Sequence, residues 1–263
     1  MDTIPQIWMG TRGLQGEECY RTIRMGLELW YQMIDTAEHY QNEKDIGHAL
    51  KDSWIPRGNI WITTKIRKES FGNISFACEK SLSNLKTNYL DLLLIHRPTG
   101  NLDEHHQIFE QLLFLKKQGK VKKIWVSNFT ISQIQDLISV FWEEVFANEI
   151  EFHPCLSQAK MFHFSEEHHF HIIAYSPFGH GHLFQLPELQ SLAQKSWYSL
   201  SQICLSRLLH QGVIVIPKAS SQKNLQENLQ SLQCSLSEDI LQEIELLPKN
   251  YRYLNPPFAP QWD

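Results

Sequence analysis

The chain has 263 residues, of which 42% are hydrophobic and 20% are charged, so it can bury a full core and is expected to form one domain over residues 1–263. Its formal net charge is -5, and its Lys and Arg residues are scattered along the chain, which argues against nucleic-acid and membrane partners. The five cysteines form no C-x-x-C pair, so neither a disulfide framework nor a zinc site is predicted.

The start of the chain and its hydropathy pattern predict a cellular location. Residues 1–8 lack a basic segment followed by an apolar one, and no apolar run approaches the roughly 18 residues of a membrane span. Together with reduced cysteines, this pattern predicts a cytoplasmic protein. No long apolar helix face calls for a partner subunit, so we expect a monomer.

Short apolar runs rich in β-branched residues recur along the chain, and each is short enough to be a buried strand. In chain order they cover residues 33–34, 60–66, 90–95, 121–127, 146–152, 172–175 and 213–216. An eighth strand is expected near residues 231–234, because it would complete a regular architecture.

Segments with helical periodicity lie between these runs, and residues 74–85 are an example with one apolar face. Capping-box spacing at Thr130 with Gln133, and at Ser235 with Glu238, predicts two helix starts ahead of apolar-periodic stretches. Strands and helices therefore alternate along the chain.

Such alternation predicts an α/β protein with a parallel sheet, which closes either as an open doubly wound sheet or as a barrel. No G-x-G-x-x-G opens a helix after a strand, since Gly10, Gly13 and Gly16 precede any helical segment. We therefore favour a (β/α)8 TIM barrel, in which chemistry takes place at the carboxyl ends of the strands.

Four polar residues near the ends of the first three predicted strands form a coherent set: Asp35, Tyr40, Lys65 and His96. Tyrosine is a weak acid with a reference pKa of about 10, and the nearby ammonium of Lys65 would make proton donation easier. Asp35 could hold Lys65 ionised, while His96 could hydrogen-bond the substrate oxygen or the tyrosine. Taken singly, each residue also fits a structural role: an ion pair, a core histidine or a loop aromatic.

The order of several motifs resembles that of the aldo-keto reductases over nearly the whole chain. The motifs are IDTAEHYQNEKDIGHAL, ITTKI, LDLLLIHRP, WVSNFT, NEIEFHP, IIAYSP and VIVIPK, and the compact length and closing APQWD resemble the bacterial 2,5-diketo-gluconate reductase B group. The resemblance implies NADPH-dependent reduction of a small aldehyde or ketone, of the 2,5-diketo-gluconate or methylglyoxal type. It also implies that Tyr40 is the general acid, that Lys65 and Asp35 lower its pKa, and that His96 orients the carbonyl.

The resemblance further implies a nicotinamide cofactor whose carboxamide binds Ser127 and Asn128 and whose ring stacks on Tyr175. Its phosphate end would lie at residues 217–224, where a lysine-rich and serine-rich helix start suits an anion, although a merely solvated helix start would look similar. The residues expected to bind cofactor are Ser127, Asn128, Glu149, Tyr175, Ser176, Lys218, Ser220, Ser221, Asn224 and Asn228.

Two departures from the family bear on the cofactor. Lys218 stands where the family has a basic residue that contacts the 2′-phosphate of NADP. Asn224, however, stands where the family has an arginine that contacts the same phosphate. NADP is therefore expected with NAD as the alternative, and Lys223 could substitute for the arginine.

Glu149 stands where the family has a glutamine. A carboxylate can accept a bond from the carboxamide, but its burial is costly unless an Arg or Lys compensates, so weaker cofactor binding is a further expectation.

Three arginines stand where the family usually has aromatic residues around the substrate: Arg12, Arg67 and Arg97. They predict a basic pocket for an anionic substrate such as a keto-acid or sugar acid. The alternative is that they point into solvent or pair with acids such as Asp91 and Asp103.

A metal-dependent barrel hydrolase and a non-catalytic nicotinamide-nucleotide-sensing module are the competing functions. The first would use the histidines at 163, 168, 169, 171, 180 and 182, but their spacing matches no common zinc pattern, so no metal site is predicted. The intact set of Tyr40, Lys65, Asp35 and His96 argues against the second.

Overall fold

Eight parallel strands pair in chain order at the centre of the computed structural model, which describes residues 4–141, 145–257 and 259–263. Residues 1–3 and 142–144 of the predicted domain, and residue 258 of its tail, lie outside the described residues. The strands are β1 (Met9–Gly10), β2 (Met33–Asp35), β3 (Trp61–Ile66), β4 (Leu90–Ile95), β5 (Val121–Ser127), β6 (Ala147–Glu151), β7 (His171–Tyr175) and β8 (Ile214–Ile216).

The first and last strands meet and close the sheet. The Trp8 amide donates to the Val215 carbonyl at 2.9 Å, the Val215 amide donates to Gln6 at 2.9 Å, and the Gly10 amide donates to Pro217 at 3.1 Å. Closure satisfies the backbone groups that an open sheet would leave at its edges. The predicted (β/α)8 barrel is confirmed, and the doubly wound alternative is excluded.

The eighth strand was predicted at the wrong end of the chain. Residues Ser231–Gln233 form a turn of 3-10 helix, and the strand that completes the barrel is β1, at Met9–Gly10. Two residues carry no periodic signal, so only their pairing with Ile34 and Asp35 marks them as a strand. The seven other predicted strands are confirmed.

Helices run between the strands on the outside of the barrel. They are α1 (Gly16–Glu28), α2 (Glu43–Lys51), α3 (Ile74–Leu85), α4 (Leu102–Lys117), α5 (Ile131–Phe141), α6 (Ala159–Glu167), α7 (Pro187–Lys195), α8 (Leu200–His210), α9 (Gln222–Gln230) and α10 (Glu238–Glu245). The predicted apolar face of α3 is buried as expected. In the described part of the chain, no helix is long and apolar enough to cross a membrane.

One of the two predicted helix caps is correct. The Thr130 amide donates to Gln133 Oε1 at 3.0 Å, and the Gln133 amide donates to the Thr130 hydroxyl at 3.4 Å, which forms a capping box. The cap predicted at Ser235 is wrong, because α10 begins two residues later and Ser237 accepts from the Ile240 amide. Two serines two residues apart both suit a cap, and the position of the helix decides between them.

The inside of the barrel is a packed layer of large apolar side chains, not a channel. Trp8 and Trp125 are fully buried there and stack with ring centroids 5.2 Å apart. The other members are Met33, Leu92, Leu94, Ala147, Ile173, Ile214 and Ile216. This layer blocks the centre of the barrel, so polar chemistry is confined to its carboxyl-terminal end.

Candidate active site

Strand alternation carries five polar side chains into the barrel just above this apolar layer. Asp35 follows Met33 by two positions and Glu149 follows Ala147 by two, so each pair shares one face of its strand. The Lys65 Nζ on β3 lies 3.3 Å from Glu149 Oε1 on β6, a contact between strands that are not neighbours and therefore one that crosses the barrel interior. The five residues are Asp35, Lys65, Ser127, Glu149 and Tyr175.

Lys65 is fully buried and tightly bound to Asp35. Its ammonium donates to both carboxylate oxygens of Asp35, at 2.6 and 2.7 Å, and to the Thr36 carbonyl at 3.2 Å. Burial lowers the pKa of Lys65, but the carboxyls of Asp35 and Glu149 outweigh burial and raise it above its ordinary value. The lysine is therefore a permanent cation at the bottom of the site.

Tyr40 ends the short 3-10 helix Glu38–Tyr40, with Lys65 Nζ 5.3 Å from its ring centroid. Burial raises the pKa of Tyr40 to about 12. Lys65 acts in the opposite direction, as predicted, whereas Asp35 raises the tyrosine pKa further, so the expectation of a lowered pKa is wrong for the residue as it stands here. At neutral pH the side chain is a phenol that retains a proton to donate.

His96 directly follows β4 and faces the tyrosine. Its ring meets Tyr40 edge-to-face, with centroids 5.8 Å apart at an angle of 80°. Burial, and then the positive charges of Lys65 and Arg97, hold its pKa well below the usual range for histidine. His96 is therefore a neutral imidazole at neutral pH, which can donate one hydrogen bond without carrying a charge.

A second polar layer joins the ends of β5, β6 and β7. Ser127 Oγ donates to the Glu149 carbonyl at 2.9 Å, and the Asn128 amide group donates to Ser127 Oγ at 2.9 Å and to the His96 carbonyl at 3.1 Å. The Tyr175 hydroxyl donates to Asn128 Oδ1 at 2.6 Å. These bonds fix the side chains of Ser127, Asn128 and Tyr175 relative to His96 and form one wall of the site.

Glu149 departs from this pattern of complete hydrogen bonding. It is buried, and its Oε2 atom has no hydrogen-bond partner among the described residues. Burial and the nearby Asp35 raise the pKa of Glu149 to about 8, although Lys65 opposes the shift. The predicted cost of burying this carboxyl is thus only partly offset by a lysine.

The predicted phosphate-binding residues lie where β8 leads into α9. Lys218, Ser220, Ser221, Lys223 and Asn224 are all exposed to solvent. The Ser221 hydroxyl caps α9 by accepting from the Asn224 amide at 3.3 Å. Asn228, in the second turn of the helix, is buried, and its Nδ2 finds no acceptor within the described chain.

Two orphaned buried atoms therefore lie among the residues that the sequence assigned to a cofactor, Glu149 Oε2 and Asn228 Nδ2. Buried polar atoms are normally hydrogen-bonded, and an exception points to a missing partner. The exposed Lys218 and the hydroxyl-rich start of α9 supply donors for an anionic group between them. The Glu149 oxygen can accept from an amide, and the donors at the start of α9 suit a phosphate, so these residues fit a dinucleotide that carries both groups.

The three arginines that were predicted to line the pocket have different neighbours. The charges of Arg97 and Arg12 both act on the His96 ring. Arg67 instead pairs with Glu38 at 3.4 Å and with Glu69 at 3.8 Å. The pairing with acids that the sequence left open is thus found for Arg67.

Asp91, one of the two acids named as candidate partners for these arginines, has other contacts in the fold. Asp91 binds Arg57 at 2.7 Å and Lys122 at 2.9 Å. Arg57 lies in the turn before β3, and Asp91 is the second residue of β4, whereas His96 follows the last residue of β4. Asp91 therefore lies at the opposite end of β4 from His96.

The histidine-rich stretch is dispersed by the fold. His182 stacks on Tyr253 with centroids 4.6 Å apart, and His180 Nε2 lies 3.2 Å from the hydroxyl of Ser176, a residue with a left-handed φ of 51°. Over the described ranges, no group of three or more His, Cys, Asp or Glu side chains is placed to hold a metal ion.

Comparison with protein families gives one decisive match. The model of the "Aldo/keto reductase family" matches residues 6–248 of this chain. The chain belongs to the aldo/keto reductase family. It is therefore an oxidoreductase of the class that acts on carbonyl compounds and their alcohols, and the family uses nicotinamide cofactors.

Relatives of this aldo-keto reductase resemble it over their whole length. Methylglyoxal reductase DkgB of Escherichia coli O157:H7 is 33% identical over 265 residues, which cover 99% of each chain. A solved aldo/keto reductase of Brucella melitensis has a TM-score of 0.87 at 33% identity, with 92% of this chain and 94% of that chain covered. The aldose reductase of Schistosoma japonicum has a TM-score of 0.89 at 28% identity, with 98% and 93% covered.

The C-terminal tail of this family member approaches the site, which sequence reasoning missed. The buried carboxylate of Glu151 accepts from the Tyr253 amide at 2.8 Å and from the Leu254 amide at 2.9 Å. Arg252, held over the Trp262 ring at 4.0 Å, places its charge near Tyr175. The basic residue Arg252 within an aromatic tail was the available signal, but the tail binds Glu151, which lies about a hundred residues earlier in the chain.

Proposed function

We propose that this aldo-keto reductase reduces a small aldehyde or ketone to the alcohol with NADPH, and that Tyr40 is the general acid. The observation that carries the proposal is the grouping of a protonated Tyr40, a neutral His96 and a buried Lys65 at the carboxyl end of the barrel. General acids of this kind act when they lie within hydrogen-bond reach of the oxygen that they protonate.

His96 donates a hydrogen bond to the carbonyl oxygen and orients it towards Tyr40. A bound nicotinamide supplies the hydride that the carbonyl carbon requires. As negative charge develops on the oxygen, the Tyr40 Oη proton moves to it, because an alkoxide is far more basic than a phenolate. Lys65 stabilises the phenolate that remains, and Asp35 holds the ammonium in place.

Ten residues are proposed to hold the cofactor in two groups. Ser127, Asn128, Glu149, Tyr175 and Ser176 surround the nicotinamide end, and Lys218, Ser220, Ser221, Asn224 and Asn228 surround the adenosine and phosphate end. The exposed ammonium of Lys218 supports NADP over NAD, because the extra phosphate of NADP adds negative charge at that end. NAD is the alternative, since Asn224 offers no charge.

The proposed substrate is a carbonyl compound of the methylglyoxal or 2,5-diketo-gluconate type. A curated relative carries the name methylglyoxal reductase, which supports a small dicarbonyl. Arg12 and Arg97 act on His96 and support an anionic compound, since guanidinium groups bind carboxylates with two parallel hydrogen bonds.

The proposal is tested by the oxidation of NADPH and NADH with methylglyoxal and with 2,5-diketo-gluconate. Tyr40→Phe is expected to lower kcat by about 10²–10⁴-fold, while cofactor binding, followed by quenching of tryptophan fluorescence, stays unchanged. Tyr89→Phe is the control, because Tyr89 packs on the cations of Arg57 and Lys122 away from the site. Cofactor binding without turnover by the wild-type protein would refute the proposal and favour a sensing role.

The single domain over residues 1–263, the monomeric state and the cytoplasmic location stay predictions.

A further inference from the structure

The Glu149 carboxyl shares a single ammonium with Asp35. An ammonium has three N–H donors, and those of Lys65 are directed at the two Asp35 oxygens and the Thr36 carbonyl. Glu149 Oε1 lies 3.3 Å from Lys65 Nζ, farther than the two Asp35 oxygens, so its interaction with the ammonium is the weaker one. Its Oε2 has no partner in the described part of the molecule.

Charge balance then decides the protonation of Glu149. One buried ammonium neutralises one buried carboxylate, and Asp35 has the better geometry. A second ionised carboxylate in the same place lacks a counter-ion of its own and has one oxygen, Oε2, without a hydrogen bond, so burial favours its neutral form. The raised pKa of Glu149, about 8, agrees with this geometry. The carboxyl therefore keeps its proton at neutral pH.

The charged groups around Glu149 come from several elements. Asp35 on β2 and Lys65 on β3 are the charges that act on it, and Glu149 in turn raises the pKa of Tyr40 after β2 and of Tyr175 on β7. His96 after β4 is neutral, and Arg12 after β1 acts on Tyr40 and His96. Burial raises the pKa of Asp35 as well, but the two hydrogen bonds from Lys65 favour the ionised form of Asp35, so Glu149 is the carboxyl of this cluster that holds the proton.

The proposed reaction places the nicotinamide ring within reach of this charge. The carbonyl carbon and oxygen are one bond apart, so the ring and the Tyr40 hydroxyl must face the same small group. Glu149 already acts electrostatically on Tyr40. The two redox forms of the ring differ by one positive charge, which is present in NADP⁺ and absent in NADPH.

We propose that Glu149 keeps its proton while NADPH is bound and releases it to solvent when NADP⁺ is bound. The inference rests on the proposed function, because it requires a nicotinamide at this end of the barrel. A positive ring gives the carboxylate the counter-ion that Lys65 cannot give, whereas a neutral ring leaves the acid form favoured. A glutamine at this position cannot lose a proton, so the effect belongs to the glutamate of this chain.

Proton linkage makes the effect measurable without turnover. Two complexes that differ by one bound proton change their relative affinity about tenfold per pH unit. The ratio of Kd for NADPH to Kd for NADP⁺ is therefore expected to rise with pH between the pKa values of Glu149 in the two complexes. Titrations of the adenosine phosphates are common to both cofactors and cancel in the ratio.

Isothermal titration calorimetry at pH 7 in two buffers of different ionisation enthalpy counts the protons released on binding. For the wild-type protein, NADP⁺ is expected to release about one proton more than NADPH does, and Glu149→Gln is expected to abolish this difference. Glu43→Gln is the matched control, because Glu43 is also buried but both of its oxygens accept hydrogen bonds, from Thr64 and Asn84. It should leave the difference intact.

The outcomes separate this inference from the proposed function. Tight binding of both cofactors with equal proton release, or a difference that survives in Glu149→Gln, would overturn the inference and leave the reductase proposal standing. Failure of the wild-type protein to bind either cofactor would overturn both. A Kd ratio that is flat with pH in the wild-type protein would count against the inference in the same way as equal proton release.

Discussion

Replacing Lys65 with methionine removes the buried ammonium while keeping most of the side-chain volume. Asp35 then loses two charge-assisted hydrogen bonds, at 2.6 and 2.7 Å, in a place where its side chain is only 5% exposed. Removing one partner of a buried ion pair costs about 3–5 kcal/mol of unfolding free energy. Lys195→Met breaks a pair with Glu243 that has similar geometry on the surface, and such pairs contribute about 0–1 kcal/mol.

The loss of unfolding free energy caused by Lys65→Met should also depend on pH. Burial raises the pKa of Asp35 in the folded protein, and removal of Lys65 takes away the charge that opposes this rise. The folded variant therefore binds more protons than the unfolded chain between the two pKa values, and its stability falls as pH rises through that interval. The deficit is smallest near the unfolded pKa of about 4 and largest at neutral pH and above.

Urea unfolding followed by circular dichroism at pH 5 and pH 8 measures both effects. The double variant with Asp35→Asn should recover much of the loss, since it removes the unpaired charge. The reasoning is refuted if Lys65→Met is no less stable than Lys195→Met at pH 8, or if its deficit is equal at the two pH values.

The remaining predictions concern the substrate pocket and a helix cap. Replacing Arg12 or Arg97 with glutamine should raise KM for a carboxylated ketone about tenfold, as expected for one charge-assisted contact, and leave KM for methylglyoxal unchanged. Arg67→Gln should do less, because Glu38 and Glu69 already neutralise Arg67, and equal effects on both substrates would contradict an anionic pocket. Ser237→Ala should cost about 1 kcal/mol in urea unfolding. Ser235→Ala should cost less, and the reverse order would show that α10 begins elsewhere.

The barrel was predictable because its signals are local. A buried strand such as Leu90–Ile95 is a continuous apolar run, and a helix such as Ile74–Leu85 shows one apolar face in its own sequence. Strand β1 was missed because two residues carry no pattern, and its identity depends on partners distant in the chain. The same limit explains the missed cap at Ser237. Ser235 and Ser237 are equally suited to cap a helix, and the packing of α10 decides that Ser237 is the cap.

The residues of the candidate site could be predicted from the sequence, but the pKa shifts of their side chains could not. Strand ends at Asp35 and Lys65 indicated the catalytic set, because parallel strands bring their carboxyl ends to one edge. The direction of the Tyr40 pKa was not predictable, because burial outweighs the effect of Lys65 and burial is a property of the whole fold. The contact of the C-terminal tail with Glu151 was invisible for the same reason.

Local patterns and short motifs in the sequence were enough to predict the alternation of strands and helices, the family and the residues gathered at the barrel mouth. The pairing of charges, in contrast, depends on the folded chain. The fold joins Lys65 to Asp35 and leaves Glu149 sharing the same ammonium. It also pairs Arg67 with Glu38, while Arg12 and Arg97 act on His96. Charge pairing depends on distances of a few ångströms between groups from different strands, and those distances exist only after the barrel has closed.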